Sequence, residues 1–196
     1  MTIREAKKLD LAKILASDPA ATNRGLVKRT YTGYKALCRY RYAHWFWTKG
    51  HKHIAFYIAY RTKIKTGIDI HPAAEIGTGI FIDHGVGLVI GETSVIGNDC
   101  VLYQGVTLGA LSTRGGQQLK GKKRHPTIED DVTIYSGASI LGGETVISEG
   151  VVIGGNAFVT KSVPEQTRVS AKMPELQFKR HESVEFQNGE FLNYEI

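Results

Sequence analysis

Nowhere in these 196 residues is there an unbroken run of about 18 apolar side chains, so no segment is predicted to span a bilayer. The stretch from Met1 to Asp10 is charged and has no apolar core, which excludes a secretory signal there. Cysteine is scarce. Cys38 and Cys100 fall in different predicted elements, and two thiols without a secretory signal point to a reduced, cytoplasmic setting. There is no His-x4-His pair and no cysteine-rich knuckle. A zinc reading would have to draw on His71, His84 and His125, and no metal is expected. The net charge of +6 favours an anionic partner, but nucleic acid, phospholipid and a phosphorylated cofactor all satisfy that sign. The basic residues of the first 66 positions read as a solvated face, so neither nucleic acid nor a membrane is expected as a partner.

Glycine, by contrast, is plentiful at 22 residues, and its placement is periodic. Between Gly67 and Gly109, Ile70, Ile76 and Ile82 fall six apart. After a two-residue slip the pattern resumes at Ile90, Ile96, Leu102 and Leu108. Ile76, Ile90, Ile96 and Leu108 are each followed at once by glycine. A helix repeats apolar residues at three and four and a strand at two, so neither explains a period of six. One inward aliphatic with a small neighbour every six residues marks a parallel β-helix, three such segments closing a triangular turn.

The remainder divides around that coil. Residues 1–66 lack the period and read as a helical segment. Thr2 to Ala16 is predicted as a short amphipathic helix, and Asp18-Pro19 as the start of the next. A strong helix is predicted from Tyr34 to Thr48, and a further one from Ile54 to Lys65 with a basic outer face. The coil is assigned to residues 67–164, interrupted at 110–126 by a polar, glycine-rich, basic loop thrown out from one corner. The period resumes at Ile128, Ile134 and Ile140. After a one-residue slip at Gly142-Gly143, Ile147, Ile153 and Val159 become the inward set. Pro164 is expected to end the ladder, and 165–196 to hold a strand or two near Arg168 to Ser170 and then a flexible tail.

The coil is sparing with ionisable groups, so those it carries stand out. Asp69 and His84 lie one predicted coil apart and are expected to face each other at one edge, with Asp83 beside them. A carboxylate beside an imidazole fixes its tautomer and raises its basicity, the usual arrangement of a general base. Arg124-His125, at the end of the basic loop, is expected to converge on the same place. His71 reads as structural.

At this point the motifs are similar to those of a known family. Thr66-Gly-Ile-Asp-Ile-His-Pro72, Phe81-Ile-Asp-His-Gly85, Val89-Ile-Gly-Glu-Thr93, Gly105-Val-Thr-Leu-Gly109 and Lys123-Arg-His-Pro126 occur in the order of bacterial serine O-acetyltransferases, which the chain resembles from about residue 18 to 165. Asp18-Pro-Ala-Ala21 and Arg41-Tyr-Ala-His-Trp45 resemble the same family's helical segment. The resemblance implies a mainly β, left-handed parallel β-helix with an N-terminal α-helical segment. It implies acetyl transfer from acetyl-CoA to the hydroxyl of L-serine, giving O-acetyl-L-serine in cysteine biosynthesis; another hydroxyl acceptor, such as homoserine or a sugar, is the alternative.

The family's roles carry over residue by residue. By resemblance, His84 is the general base and Asp69 its orienting partner. Asp18 and Asp83 hold the serine ammonium, and Arg124 and His125 lie near its carboxylate. Ala110, Ser136 and Gly155 match positions along the acetyl-CoA groove, with Lys120, Lys122 and Lys123 near enough in sequence to attract its phosphates. The resemblance further implies a homotrimer with each site shared by two chains, and feedback inhibition by L-cysteine competing with serine. The 17 residues before Asp18 are too few for the helices that join two trimers in hexameric members, so a trimer is expected. The end Tyr194-Glu195-Ile196 resembles the tail by which the family binds O-acetylserine sulfhydrylase. Two departures stand out. The 110–125 loop is longer than the common form, and Ser170-Ala-Lys-Met-Pro174 replaces the family's small-Gly-x-Pro-Ala turn.

Overall fold

The architecture was read from a computed structural model that describes residues 1–112 and 114–171. The tail expectation at Ile196, and most of the replaced turn at 170–174, lie outside the described residues.

The coil is a left-handed parallel β-helix whose strands are only two or three residues long. The first face stacks Asp69–Ile70, Val89–Ile90, Thr107–Gly109, Ser139–Leu141 and Phe158–Val159. The second stacks Glu75–Ile76, Val95–Ile96, Thr127–Ile128 and Val146–Ile147. The third stacks Phe81–Ile82, Val101–Leu102, Thr133–Ile134, Val152–Ile153 and Arg168–Val169. All pairings are parallel. Each strand turns one aliphatic inward onto the same position of the next coil. Ile90, Leu108 and Ile140 line the axis from the first face, Ile96, Ile128 and Ile147 from the second, and Leu102, Ile134 and Ile153 from the third. A second inward residue at each corner, such as Leu88, Val106 and Ala138 before the first face, closes the gaps between faces. The slip after Gly142-Gly143 is as expected: Ile147, Ile153 and Val159 are buried, whereas Phe158 points to solvent. One more rung lies beyond Pro164, because Arg168–Val169 pairs with Val152–Ile153.

Four helices cap the first coils: α1 (Ile3–Ser17), α2 (Arg24–Thr30), α3 (Thr32–Thr48) and α4 (Lys52–Thr66). Thr2 and Glu5 form a reciprocal capping box at the start of α1. The expectation that Asp18-Pro19 opens a helix is corrected. Asp18 Oδ1 accepts the Ala20 N–H at 2.8 Å, closing a turn around the proline, and α2 begins only after Asn23, whose side chain caps Leu26 N–H. The cap is locked to the coil by a buried ion pair that the sequence did not announce. Arg41 Nε and Nη2 each donate to Asp10 at 2.8 Å, Nη2 also reaches the Gly77 carbonyl at 2.8 Å, and Asp10 accepts the Ile80 N–H. Phe81, on the third face, packs with Ile14 and Tyr34 beneath the helices.

The outer face of α4 also differs from expectation. It buries only Ala55, Thr62 and Thr66, and turns Ile54, Phe56, Tyr57, Tyr60 and Ile64 outward among its basic residues. The small residues let α4 lie close to α3, which leaves Ile54, Tyr57, Tyr60 and Ile64 facing away, while the half-exposed Phe56 meets Trp47 of α3 edge-on.

Candidate active site

The third face ends in Asp83, and the chain then turns through His84 into the first face. His84 takes up the left-handed region at φ 57, uncommon for a residue with a Cβ, and Gly85 follows at φ 77. The Thr32 hydroxyl donates to the His84 carbonyl at 3.0 Å, tying the corner to the start of α3. Gly33 permits that approach: a Cβ there would run into the Ile82 carbonyl oxygen. The imidazole itself is exposed, with Nε2 3.9 Å from Asp83 Oδ1.

Between this corner and the helices lies a cleft of about 450 Å³, walled by Asp18, Tyr31, Thr32, Gly33, Asp83 and His84 among others. The structure thus brings Asp18, Asp83 and His84 together across sixty-odd residues of chain. Two carboxylates and an exposed imidazole in one open cleft suit a cationic ligand that carries a proton to be removed. Tyr31, which the motifs did not single out, donates its hydroxyl to Asp18 Oδ2 at 2.6 Å. That hydrogen bond, burial and the nearby Asp18 and Asp83 charges push its phenol up to about 12, so it stays a donor at any working pH.

Asp69 is placed otherwise than expected. The two-residue slip lengthens this coil to twenty residues, so Asp69 stacks on Val89 and not opposite His84. Its carboxylate accepts from Lys63 Nζ of α4 at 2.6 Å. The Gly67 carbonyl nevertheless accepts the Gly87 N–H at 2.8 Å, which keeps the start of the Asp69 strand beside the His84 corner.

Arg124 and His125 do not converge with that group within one chain. They lie at the corner between the first and second faces, where residues 110–126 leave and rejoin the coil. Thr93 organises this corner: its Oγ1 accepts the Arg124 and His125 N–H groups at 2.9 and 3.0 Å and lies 2.9 Å from His125 Nδ1, which also accepts the Thr93 N–H. With Nδ1 an acceptor, the His125 proton belongs on Nε2. The ring packs flat on Gly91, where any Cβ would occupy its place. Burial, then the Arg124 charge, lowers His125 to about 4, so it is neutral near pH 7. Arg124 is held by Glu92. Glu92 and Thr93 belong to a recognised motif, but nothing in their spacing assigned them this work.

The remaining assignments divide by corner. Ser136 and Gly155 lie beside each other at the third-to-first corner, two and three coils beyond His84, and Gln104 occupies the same corner one coil beyond His84, its buried Oε1 lacking a partner among the described residues. Ala110 is at the other corner, at the root of the loop. Lys123 is not free to meet a phosphate, since its ammonium donates to the carbonyls of Thr93, His125 and Pro126. His71 packs edge-on to Trp47 and Phe56, with Nδ1 accepting the Ala73 N–H. Among the described residues no group of three His, Cys, Asp or Glu side chains is arranged to hold a metal ion. No helix among them is long and apolar enough to cross a membrane.

No family model matches the chain. It is similar, however, to curated proteins named serine acetyltransferase. It is 44% identical over 163 residues to that of Helicobacter pylori strain J99, a match covering 83% of this chain and 91% of the relative. It is 45% identical over 159 residues to that of Mycobacterium tuberculosis, covering 81% of this chain and 66% of the relative. It is 45% identical over 172 residues to a plasmid-borne serine acetyltransferase of Synechococcus elongatus, of which it spans 54%. The chain therefore covers about half to two thirds of several relatives it matches. Among solved structures, Neisseria gonorrhoeae serine acetyltransferase in complex with serine superposes with a TM-score of 0.80 at 35% identity, over 87% of this chain and 67% of that one. Entamoeba histolytica serine acetyltransferase isoform 3 in complex with cysteine gives 0.83 at 40% identity, over 91% and 62%.

Proposed function

Because the chain belongs to the serine acetyltransferase family, we propose that it transfers the acetyl group of acetyl-CoA to the hydroxyl of L-serine, giving O-acetyl-L-serine. The observation that carries this reading is the cleft that unites Asp18, Asp83 and His84. The two carboxylates hold the acceptor's ammonium, and His84 takes the hydroxyl proton as oxygen attacks the thioester carbonyl. A thioester is already activated, so direct attack is sufficient and no covalent enzyme intermediate is needed. Asp69 is the proposed orienting acid for His84. Its pair with Lys63 is exposed and screened by solvent, so releasing it costs little.

The acceptor's carboxylate is assigned to Arg124 and His125 Nε2–H of a neighbouring copy, since in one chain they occupy a different corner from His84. The acetyl-CoA arm is assigned to the seam between the same two copies, Ser136 and Gly155 on one side and Ala110 on the other. A homotrimer supplies that seam three times. The outward apolar residues of α4, together with exposed Val86 and Phe158 on the coil, give such an assembly surface to bury. L-cysteine, with the same ammonium and carboxylate as serine, is the proposed feedback inhibitor.

Release of CoA thiol that requires L-serine, and that falls roughly 10²- to 10⁴-fold in His84→Ala without loss of acetyl-CoA binding, tests the assignment. Equal turnover of parent and variant near neutral pH would remove His84 from the base role.

A further inference from the structure

Of the acids in the cleft, Asp18 alone has both oxygens engaged by partners among the described residues. Oδ1 accepts the Ala20 N–H at 2.8 Å and Oδ2 accepts the Tyr31 hydroxyl at 2.6 Å. Asp18 sits in a turn whose backbone is only partly buried, so the Ala20 contact by itself leaves the carboxylate plane free to swing with the turn. Tyr31 removes that freedom. It occupies the junction between α2 and α3, and its ring packs against the Ile14, Val27 and Tyr34 cluster under the helices. The hydroxyl is therefore delivered from a fixed point thirteen residues away in sequence. Asp83, by comparison, projects from the end of a rigid coil strand and needs no such prop.

We propose that Tyr31 is a positioning residue for the ammonium group of the acceptor, acting through Asp18. The proposal rests on the acetyl-transfer reading given above. Tyr31 fixes the plane of the Asp18 carboxylate, so that the lone pairs left over point into the cleft toward the same spot that Asp83 addresses. An ammonium then meets two oriented acceptors and its hydroxyl-bearing carbon is held beside His84. Acceptors with a hydroxyl and a carboxylate but no ammonium derive nothing from Tyr31.

The test is Tyr31→Phe, which keeps the ring in the helix junction and deletes one oxygen. The KM for L-serine is expected to rise roughly 3- to 10-fold, the loss of one net hydrogen bond's worth of orientation, with kcat within about twofold and the KM for acetyl-CoA unchanged. Inhibition by L-cysteine should weaken by the same factor. Turnover of 3-hydroxypropanoate, which has serine's hydroxyl and carboxylate and only hydrogen where the amine would be, should be the same in parent and variant. A double-mutant cycle with Asp18→Ala guards against a variant that is merely less well folded: adding Tyr31→Phe to Asp18→Ala should change nothing further. The proposal is overturned if Tyr31→Phe matches the parent on serine, if it impairs 3-hydroxypropanoate as much as serine, or if its effect persists in full in the Asp18→Ala background. If the parent accepts no amine-bearing acceptor at all, the acetyl-transfer reading and this proposal fall together. Parent activity on serine with an unaltered Tyr31→Phe variant removes this proposal alone.

Discussion

Acidification should loosen the corner that carries Arg124 and His125, and His125 sets the scale. Its ring is 8% exposed, packed on Gly91, with Nδ1 committed as an acceptor to Thr93. Its pKa falls from 6.5 to about 4. A histidine held neutral in the folded state binds fewer protons there than in the unfolded chain throughout the interval between those values. Stability must therefore rise with pH across that window and be lost as pH falls through it. Linkage with these two values gives about 2 kcal/mol lost between pH 7 and pH 5, and roughly 3 kcal/mol by pH 4. His71, lowered mainly by burial, adds in the same direction. The assay is chemical denaturation of the parent and His125→Asn at several pH values. Carboxylate titration destabilises both proteins in acid, so the difference between them isolates the imidazole. The parent is expected to lose about 2 kcal/mol more than the variant on going from pH 7 to pH 5. Parallel stability curves would refute the argument, and with it the claim that His125 is held neutral.

Three further outcomes are expected. Arg124→Ala should weaken L-serine and L-cysteine together by roughly 10- to 100-fold, the worth of one charge-assisted contact, and a variant that loses serine while cysteine inhibition is untouched would place cysteine elsewhere. If each site joins the His84 corner of one copy to the Arg124 corner of the next, co-refolding His84→Ala with Arg124→Ala should restore about a quarter of the parent's activity at a serine concentration too low for Arg124→Ala to turn over, and no recovery would confine the site to one chain. Replacing Tyr57 and Ile64 on α4 by glutamate should shift sedimentation from three chains toward one, whereas an unchanged mass would remove that face from the interface.

The coil was legible because its cause is local and repeated. One inward aliphatic every six residues leaves a period that no other architecture produces, and even the slip to Ile147 could be placed from the small residues Ser148 and Gly154 beside the inward set. The same repetition misled at Asp69. Counting in sixes ignores how many residues a corner consumes, and the longer corner before Leu88 puts Asp69 in register with Val89 and not with His84. Residues that work through long-range contacts were not legible. Tyr31, Thr93 and the Asp10–Arg41 pair each meet partners 13 to 32 positions away, and nothing in their own neighbourhood distinguishes them from surface polar residues. The outward apolar face of α4 was missed for a related reason. Its small residues point inward and its large ones outward, the reverse of what amphipathic spacing leads one to assume, because the helix packs closely on α3.

The central claim is that the cleft of Asp18, Asp83 and His84 directs acetyl transfer to the hydroxyl of an amino acid. Mass spectrometry of the products formed from acetyl-CoA and an equimolar mixture of L-serine, L-homoserine and a galactoside tests it most directly. O-acetyl-L-serine as the dominant product, formed in step with free CoA, is the predicted result. Acetylated galactoside or homoserine as the main product, or no serine-dependent release of CoA, would contradict it.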